Sequence, residues 1–478
     1  MRSLPKWAGL AIAAPLLGLA GCRGRSGAVD GPIVLITCDG LRADVVGALG
    51  GRERGLTPNL DALIRQASWA GPAIAPSSAG LPAMASLFTG LGPWQHQVLF
   101  PEALPLPAVL ETLPEALKRR GFRGEGFSGN EAYSQETGFG QGFEILSPLG
   151  KGEEAAKRLE KLGGSPSFLW VHLPEPAPPY LRRPKVQARI GTSGLDLPQR
   201  ILPYQLAPFF DPSNPLPPGL RRRFWALYRF NVAFADERLG RLLEALRRSG
   251  QWDRSLVVVA STRGEEFGER GQILSGGNLG RVLIEVPLVV KLPRGFPRAV
   301  RVAAGDRPAA ARLWATIVEA AGGEAPAAAA PSLFRAAPPG ALSELYRLDG
   351  TNRFSWVEGD RQLLWESRFA PPEPEYYRAL LARLARGGGR AARSALSEPP
   401  EAIFDRLAAA FRQVPPLAGV EPPRLTLERW TAQGSEPELD DSQISTMAAQ
   451  LEAAWKRFQS EASLPERERH EWYTAESH

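Results

Sequence analysis

The chain has 478 residues, 44% of them apolar, and carries 57 Lys+Arg against 51 Asp+Glu for a formal charge of +6. That length and apolar share build a substantial core and exclude a disordered chain, while 49 glycines and 45 prolines without any repeating period exclude a fibrous one and read as ordered loops and linkers. The basic balance is spread out; its local cluster, Arg221-Arg222-Arg223, reads as a solvated helix face, no nucleic-acid partner is expected, and acidic glycans or lipid headgroups suit the overall charge.

At the N-terminus, Arg2 and Lys6 precede an apolar run from Trp7 to Leu19 that ends Leu19-Ala20-Gly21-Cys22. The run is shorter than the roughly 20 residues a membrane-spanning helix needs, and a basic start, a short apolar middle and small residues at the end mark residues 1–21 as a signal peptide. The ending resembles the lipobox of bacterial lipoproteins. The resemblance implies a lipid on Cys22 and a mature chain anchored in the bacterial cell envelope, at the outer membrane because Arg23 and not an aspartate follows. With Cys22 acylated, only Cys38 is left, so no intrachain disulfide is expected.

From Gly31 to about Pro293, short apolar runs alternate with helical patterns, the signature of an α/β fold with a central, mostly parallel sheet flanked by helices. Ile33 to Thr37, Ser167 to Leu173 and Ser255 to Ala260 are β-branched or aromatic runs suited to buried strands. Leu220 to Ser249 keeps the three-and-four spacing of a long amphipathic helix that Gly250 ends, and Ala309 to Ala321 reads as a shorter one, followed by an Ala/Pro-rich surface linker to Pro331. Phe354, Trp356, Leu363, Leu364 and Trp365 flank the two-residue turn Gly359-Asp360 of a hairpin. In the last stretch Ile444, Met447, Leu451, Trp455 and Phe458 line one helical face, a packing stripe. The expected organisation is a signal peptide (1–21), an α/β domain (22–335), and a smaller α+β C-terminal region made of a hairpin part (336–385) and a helical part (386–478).

Several stretches occur in the order that resembles the sulfatase branch of the alkaline-phosphatase superfamily. They are Val34 to Asp44, Thr57-Pro58-Asn59-Leu60-Asp61, Leu81 to Gly90, Gly138 to Phe143, Asp236-Glu237-Arg238-Leu239-Gly240, Ser261 to Glu269 and Val286-Pro287-Leu288. The likeness runs over roughly residues 31–293 and implies a cleft beyond the carboxyl ends of the parallel strands.

Ester hydrolysis in such a cleft needs a nucleophile, a hard divalent cation on oxygen ligands, and proton-transfer groups. By the resemblance the nucleophile stands two residues before Pro82, where this chain has Gly80, and the basic residue two after that proline is Met84. Of the cation ligands Asp39 is kept, whereas the family's Asp-His or Asp-Asn pair is Thr262-Arg263. Ala177 replaces a histidine in Glu175-Pro176-Ala177-Pro178-Pro179-Tyr180, and Ser275-Gly276 replaces a His-Gly pair. His172 reads as a core histidine and His96 as a neighbour of the nucleophile segment.

The framework is kept and the chemistry is altered, so the expected role is non-catalytic: a pseudoenzyme, without cofactor, whose remnant cleft (Asp39, Gly80, Thr262, Arg263, Ser275) binds an acidic glycan or an envelope protein. Two alternatives stay open. One is a divergent sulfuric or phosphoric ester hydrolase using calcium or magnesium at Asp39 and a relocated nucleophile at Ser77, Ser78 or Ser86; the other is a structural assembly partner. A further expectation is that the Arg263 guanidinium pairs with Asp39 in place of the cation.

Overall fold

Every residue of the strand Ile33–Asp39 is buried, as a strand covered on both faces must be. Its alternate side chains enter opposite layers: Val34, Ile36 and Cys38 pack into one core and Ile33 and Leu35 into the other. This two-layer burial organises the molecule, a computed structural model that describes residues 27–53, 55–99, 105–190, 195–209, 214–337, 339–347, 351–368, 424–431, 434–437, 446–447 and 449–450. The signal peptide, Cys22 and most of the expected helical stretch lie outside the described residues.

The main sheet consists of Ile33–Asp39 (β1), Trp69–Ile74 (β2), Arg123–Ser128 (β3), Ile145–Pro148 (β4), Ser167–Pro176 (β5), Leu256–Ser261 (β6) and Glu285–Lys291 (β7). Their order is β2-β7-β6-β1-β5-β3-β4. β1 pairs in parallel with β5 and β6, and β3 in parallel with β4 and β5, while β7 runs antiparallel to β2 and β6. The expected fold class and the three expected strands are all present, with β5 continuing past the expected end.

Helices Pro58–Ile64 (α1), Glu153–Glu160 (α3) and Pro218–Arg248 (α4) cover one face, and Gly80–Thr89 (α2) and Arg312–Ala320 (α5) the other. α4 matches the expected long helix; Gly250, just beyond it, takes a left-handed φ of 75°. A second, antiparallel sheet joins Ala341–Tyr346 (β8), Thr351–Glu358 (β9), Arg361–Arg368 (β10), Arg424–Thr431 (β11) and Gly434–Pro437 (β12) in sequence order. The hairpin turn is the expected one, since Glu358 pairs with Arg361 across Gly359-Asp360. The helical expectation for 386–478 is corrected over Arg424–Thr431 and Gly434–Pro437, where the backbone forms β11 and β12. Met447 is buried beside Leu363 and Leu427, and the other members of its expected stripe lie outside the described residues.

The sequence motifs lock these elements together. Asp236 of α4 accepts the backbone N–H groups of Asn59 (3.0 Å) and Leu60 (2.8 Å), capping the first turn of α1. Gly240 lets the same surfaces close, because a Cβ there would stand 2.5 Å from Asn59. Arg42, past β1, donates to both Asp44 carboxylate oxygens (2.8 and 2.6 Å), to Glu269 (2.7 Å) and to the Glu265 carbonyl (3.2 Å), and lies 4.9 Å from the Trp225 ring. It thus ties the loops after β1 and β6 to α4. These contacts are charge-assisted and mostly sheltered, so they hold the cleft walls in place whatever happens in the cleft.

Candidate functional site

β1 and β6 end side by side, and Asp39 and Thr262 stand at or just past those ends. Asp39 is 3% exposed. Its Oδ1 accepts the Thr262 hydroxyl at 2.5 Å and the Tyr133 hydroxyl at 3.3 Å, and its Oδ2 accepts Asn130 Nδ2 at 3.0 Å. His172 Nε2 lies 3.3 Å from Oδ2, an electrostatic contact whose angle falls short of a hydrogen bond. Behind it, Trp170 Nε1 donates to Thr37 Oγ1, which shares a 2.9 Å hydrogen bond with His172 Nδ1. Burial alone would raise the Asp39 carboxyl; His172, then Arg263 and the Thr262 hydroxyl, outweigh it and hold the group well below the usual carboxylate range.

Arg263 follows Thr262, and the expected ion pair with Asp39 is not formed: no guanidinium nitrogen comes within 4.0 Å of the carboxylate. Thr262 and the other donors already occupy the carboxylate. Arg263 Nε and Nη1 are instead buried atoms with no hydrogen-bond partner, as are both carboxylate oxygens of Glu265 and the hydroxyl of Tyr180. Burial would lower the Arg263 pKa, but Asp39 and Glu265 more than offset it and keep the guanidinium charged. Burial pushes the Glu265 carboxyl up to about 7 against the pull of Arg263.

Gly80 opens α2 beside these groups. A Cβ there would stand 3.1 Å from Tyr133 Oη, 3.5 Å from Arg263 Nε and 3.9 Å from Asp39 Oδ1. Any side chain at this position would point into the polar cluster. Gly80, Asn130 and Arg263 are partly exposed, whereas Asp39, Thr262, Glu265, Tyr133 and His172 are buried. Two glycines shape the walls: Gly40 has φ 82° and brings Glu265 and Ala177 close, and at Gly264 a Cβ would meet the Val282 carbonyl oxygen at 1.8 Å.

Asp39, Gly80, Thr262 and Arg263 are therefore brought together. Ser275 is half-buried after the ribbon formed by Glu266–Phe267 and Ile273–Leu274, and among the described residues it makes no hydrogen bond to those four. Asn130, Tyr133 and Glu265 were not anticipated as site residues, and His172 is both a core side chain and a neighbour of Asp39. The register pairing Thr37 with His172, two residues below Asp39 on the same face, is the sequence-level signal for that contact.

Two of the three candidate relocated nucleophiles, Ser77 and Ser86, are otherwise engaged. Ser86 lies inside α2, is 0% exposed and is 2.9 Å from His96 Nε2. His96 Nδ1 accepts the Val98 N–H at 3.1 Å, so in the neutral ring Nε2 carries the proton and donates to Ser86; it is no base for that hydroxyl. Burial pushes the His96 pKa down to about 3. Ser77 Oγ accepts the Ala79 N–H, and Ser78 Oγ is buried without a partner.

Residues 151–323 match the family model described as Sulfatase. Solved structures extend the likeness: a 2-O GAG sulfatase at 17% identity and TM-score 0.57, covering 82% of this chain and 95% of that one. The phosphonate monoester hydrolase of Agrobacterium radiobacter aligns at 18% identity and TM-score 0.54, covering 86% and 100%. These structures show a shared fold, and the family model covers 173 of the 478 residues of this chain. A third similar structure, at 14% identity and TM-score 0.54 over 81% of this chain and 99% of that one, is described in complex with its substrate D-glucosamine-2-N,6-O-disulfate. No curated protein matches the sequence.

The residues of this cleft do not fit a divalent cation. A hard cation takes six to eight oxygen ligands as calcium, or near-octahedral oxygens as magnesium. Among the described residues no group of three or more His, Cys, Asp and Glu side chains converges. The Asp39 oxygens are already taken by Thr262, Asn130 and Tyr133, and the positively charged Arg263 side chain stands beside Gly80 in the same cluster.

Proposed function

We propose that this chain is a non-hydrolytic, envelope-anchored member of its family that binds an acidic glycan in the cleft at Gly80. One observation carries the reading: the spot from which a nucleophile would reach into the cluster belongs to a glycine, flanked by Arg263 Nε and Tyr133 Oη. Glycine supplies no atom for attack on sulfur or phosphorus. The unpartnered Arg263 N–H groups favour a negatively charged occupant. The sulfated sugar named with one similar structure supports a sugar of that kind. The anchor is a lipid on Cys22, read from the N-terminal sequence.

The test is an assay of the purified full chain on aryl sulfate, phosphate monoester and phosphodiester substrates, with and without calcium or magnesium. No turnover is expected in any arm. Cation-dependent turnover abolished by Asp39→Ala would establish a divergent hydrolase instead.

A further inference from the structure

We infer that the end of the molecule opposite the cleft is a membrane-binding face, whose Lys and Arg side chains meet the phosphate groups of an anionic lipid surface, so that the cleft opens away from the membrane. The inference rests on the lipid on Cys22 proposed above and adds where that lipid holds the folded body. β1 starts at Ile33 and reaches the cleft at Asp39, a rise of about 20 Å. β5 and β6 start beside Ile33, and the antiparallel β7 ends there. The chain enters the fold at this far end. Val29 donates its N–H to the Ala320 carbonyl at the end of α5, Asp30 pairs with Arg254 at 3.2 Å, and a Cβ on Gly27 would stand 3.6 Å from the Pro297 ring. Five residue steps separate Cys22 from Gly27, a span of at most about 18 Å. A tether that short keeps the lipid at the end where Gly27 lies and does not carry it round to the cleft.

The charge of this face fits that neighbour. Segments 118–123, 247–254 and 293–298, which lead into β3 and β6 and out of β7, carry nine Lys and Arg and one acidic residue, Asp253. They surround the entry of the chain: Arg294 donates its N–H to the Asp253 carbonyl, and Arg120 Nε lies 3.3 Å from where a Gly323 Cβ would stand, next to the contact of Gly322 with Ala28. Acidic side chains answer part of the charge, through Arg123–Glu144 at 2.8 Å, Arg248–Glu160 at 3.0 Å and Arg294–Asp253 at 3.2 Å. Those pairs are open to solvent and hold their partners weakly; the Arg294 side chain is 81% exposed. Lys118 and Lys161 are exposed and make no ion pair among the described residues. Lys and Arg near an anionic leaflet are drawn to it, an attraction that fades within a Debye length, and the tether sets this face closer to the leaflet than the cleft end.

The test is hydrogen–deuterium exchange of the full chain on vesicles of phosphatidylcholine alone and of phosphatidylcholine mixed with phosphatidylglycerol. Phosphatidylglycerol should slow exchange in peptides spanning 161–166 and 293–298 and leave those spanning 218–223 and 262–265 unchanged. Lys118→Gln, Lys161→Gln and Arg294→Gln together should raise the phosphatidylglycerol needed for half-maximal protection by on the order of tenfold or more, and raised salt should act in the same direction. Arg222→Gln with Arg223→Gln, at the other end of α4, should change nothing, and thermal unfolding checks that each variant is folded. Protection at the cleft end, protection independent of phosphatidylglycerol, or protection unchanged in the folded triple variant would each overturn the inference. The mass of the N-terminal peptide reports the lipid separately. A bare Cys22 ends the anchored reading and this inference with it, whereas an acylated chain without that protection ends the inference alone.

Discussion

Thr262 donates its hydroxyl to Asp39 Oδ1 at 2.5 Å, so the carboxylate expected as a cation ligand is a structural acceptor joining the ends of two central strands. Asp39→Ala would leave the Thr262, Asn130 and Tyr133 donors buried around a hole. The expected loss is about 3 kcal/mol or more, read as a lower urea midpoint. Because the Asp39 pKa is depressed, its contribution is present above the unfolded value of about 4 and is lost as pH falls through the folded value. An Asp39→Asn variant should therefore lack that part of the acid destabilisation. A variant as stable as wild type at neutral pH would refute the anchoring role.

Calcium and magnesium should leave thermal stability unchanged. A cation that bound only the folded chain at a hundred times its Kd would add about 2.7 kcal/mol, a readily seen rise in Tm. Scans in EDTA and in millimolar calcium are expected to superimpose, since Asp39 is already satisfied and Arg263 already supplies a positive charge in the cluster. A cation-dependent rise would restore the metal site.

Ser86→Ala should destabilise the chain by about 1 kcal/mol, because it strands the His96 Nε2–H inside the core. Binding of an acidic glycan should be untouched, as Ser86 is fully buried within α2. Loss of glycan binding with stability preserved would instead place Ser86 in the cleft.

The parallel core was legible because buried strands advertise themselves: Ile33 to Thr37 and Ser255 to Ala260 need no partner information to be read. Asp39, Gly80, Thr262 and Arg263 were legible as a group because each sits at a motif position near a strand or helix end. Asn130 and Tyr133 were not, since they reach Asp39 from the loop after β3 across a gap of more than ninety positions that no local pattern encodes. The Asp39–Arg263 pairing failed as an expectation for a similar reason. Charge complementarity identified two neighbours, but hydrogen-bond supply from Thr262 and Asn130 decided which groups the carboxylate bonds. Strands β11 and β12 were missed because sheet pairing, with β10 as template, outweighs local helical preference.

Glu344 offers a test of the junction between the two sheets that is independent of the cleft. It lies on β8, 2% exposed, and its Oε2 accepts the Tyr346 hydroxyl at 2.7 Å and the Trp94 N–H at 3.2 Å. Burial outweighs both hydrogen bonds and pushes the carboxyl from 4.5 up to about 7. A group that holds its proton more tightly in the folded chain favours folding at low pH, and that advantage is lost as pH rises through the interval between the two values. Glu344→Gln carries no charge to lose and can still accept from Tyr346. Relative to wild type it should gain stability between about pH 4.5 and 7, by on the order of 3 kcal/mol at most, and show a constant difference above that range. Glu265 and Glu266, also pushed up to about 7, contribute to the pH dependence of both proteins and cancel in the difference. Urea unfolding of the two proteins at pH 5 and pH 8 makes the comparison, and a difference that does not change with pH would show that Glu344 is ionised in the fold.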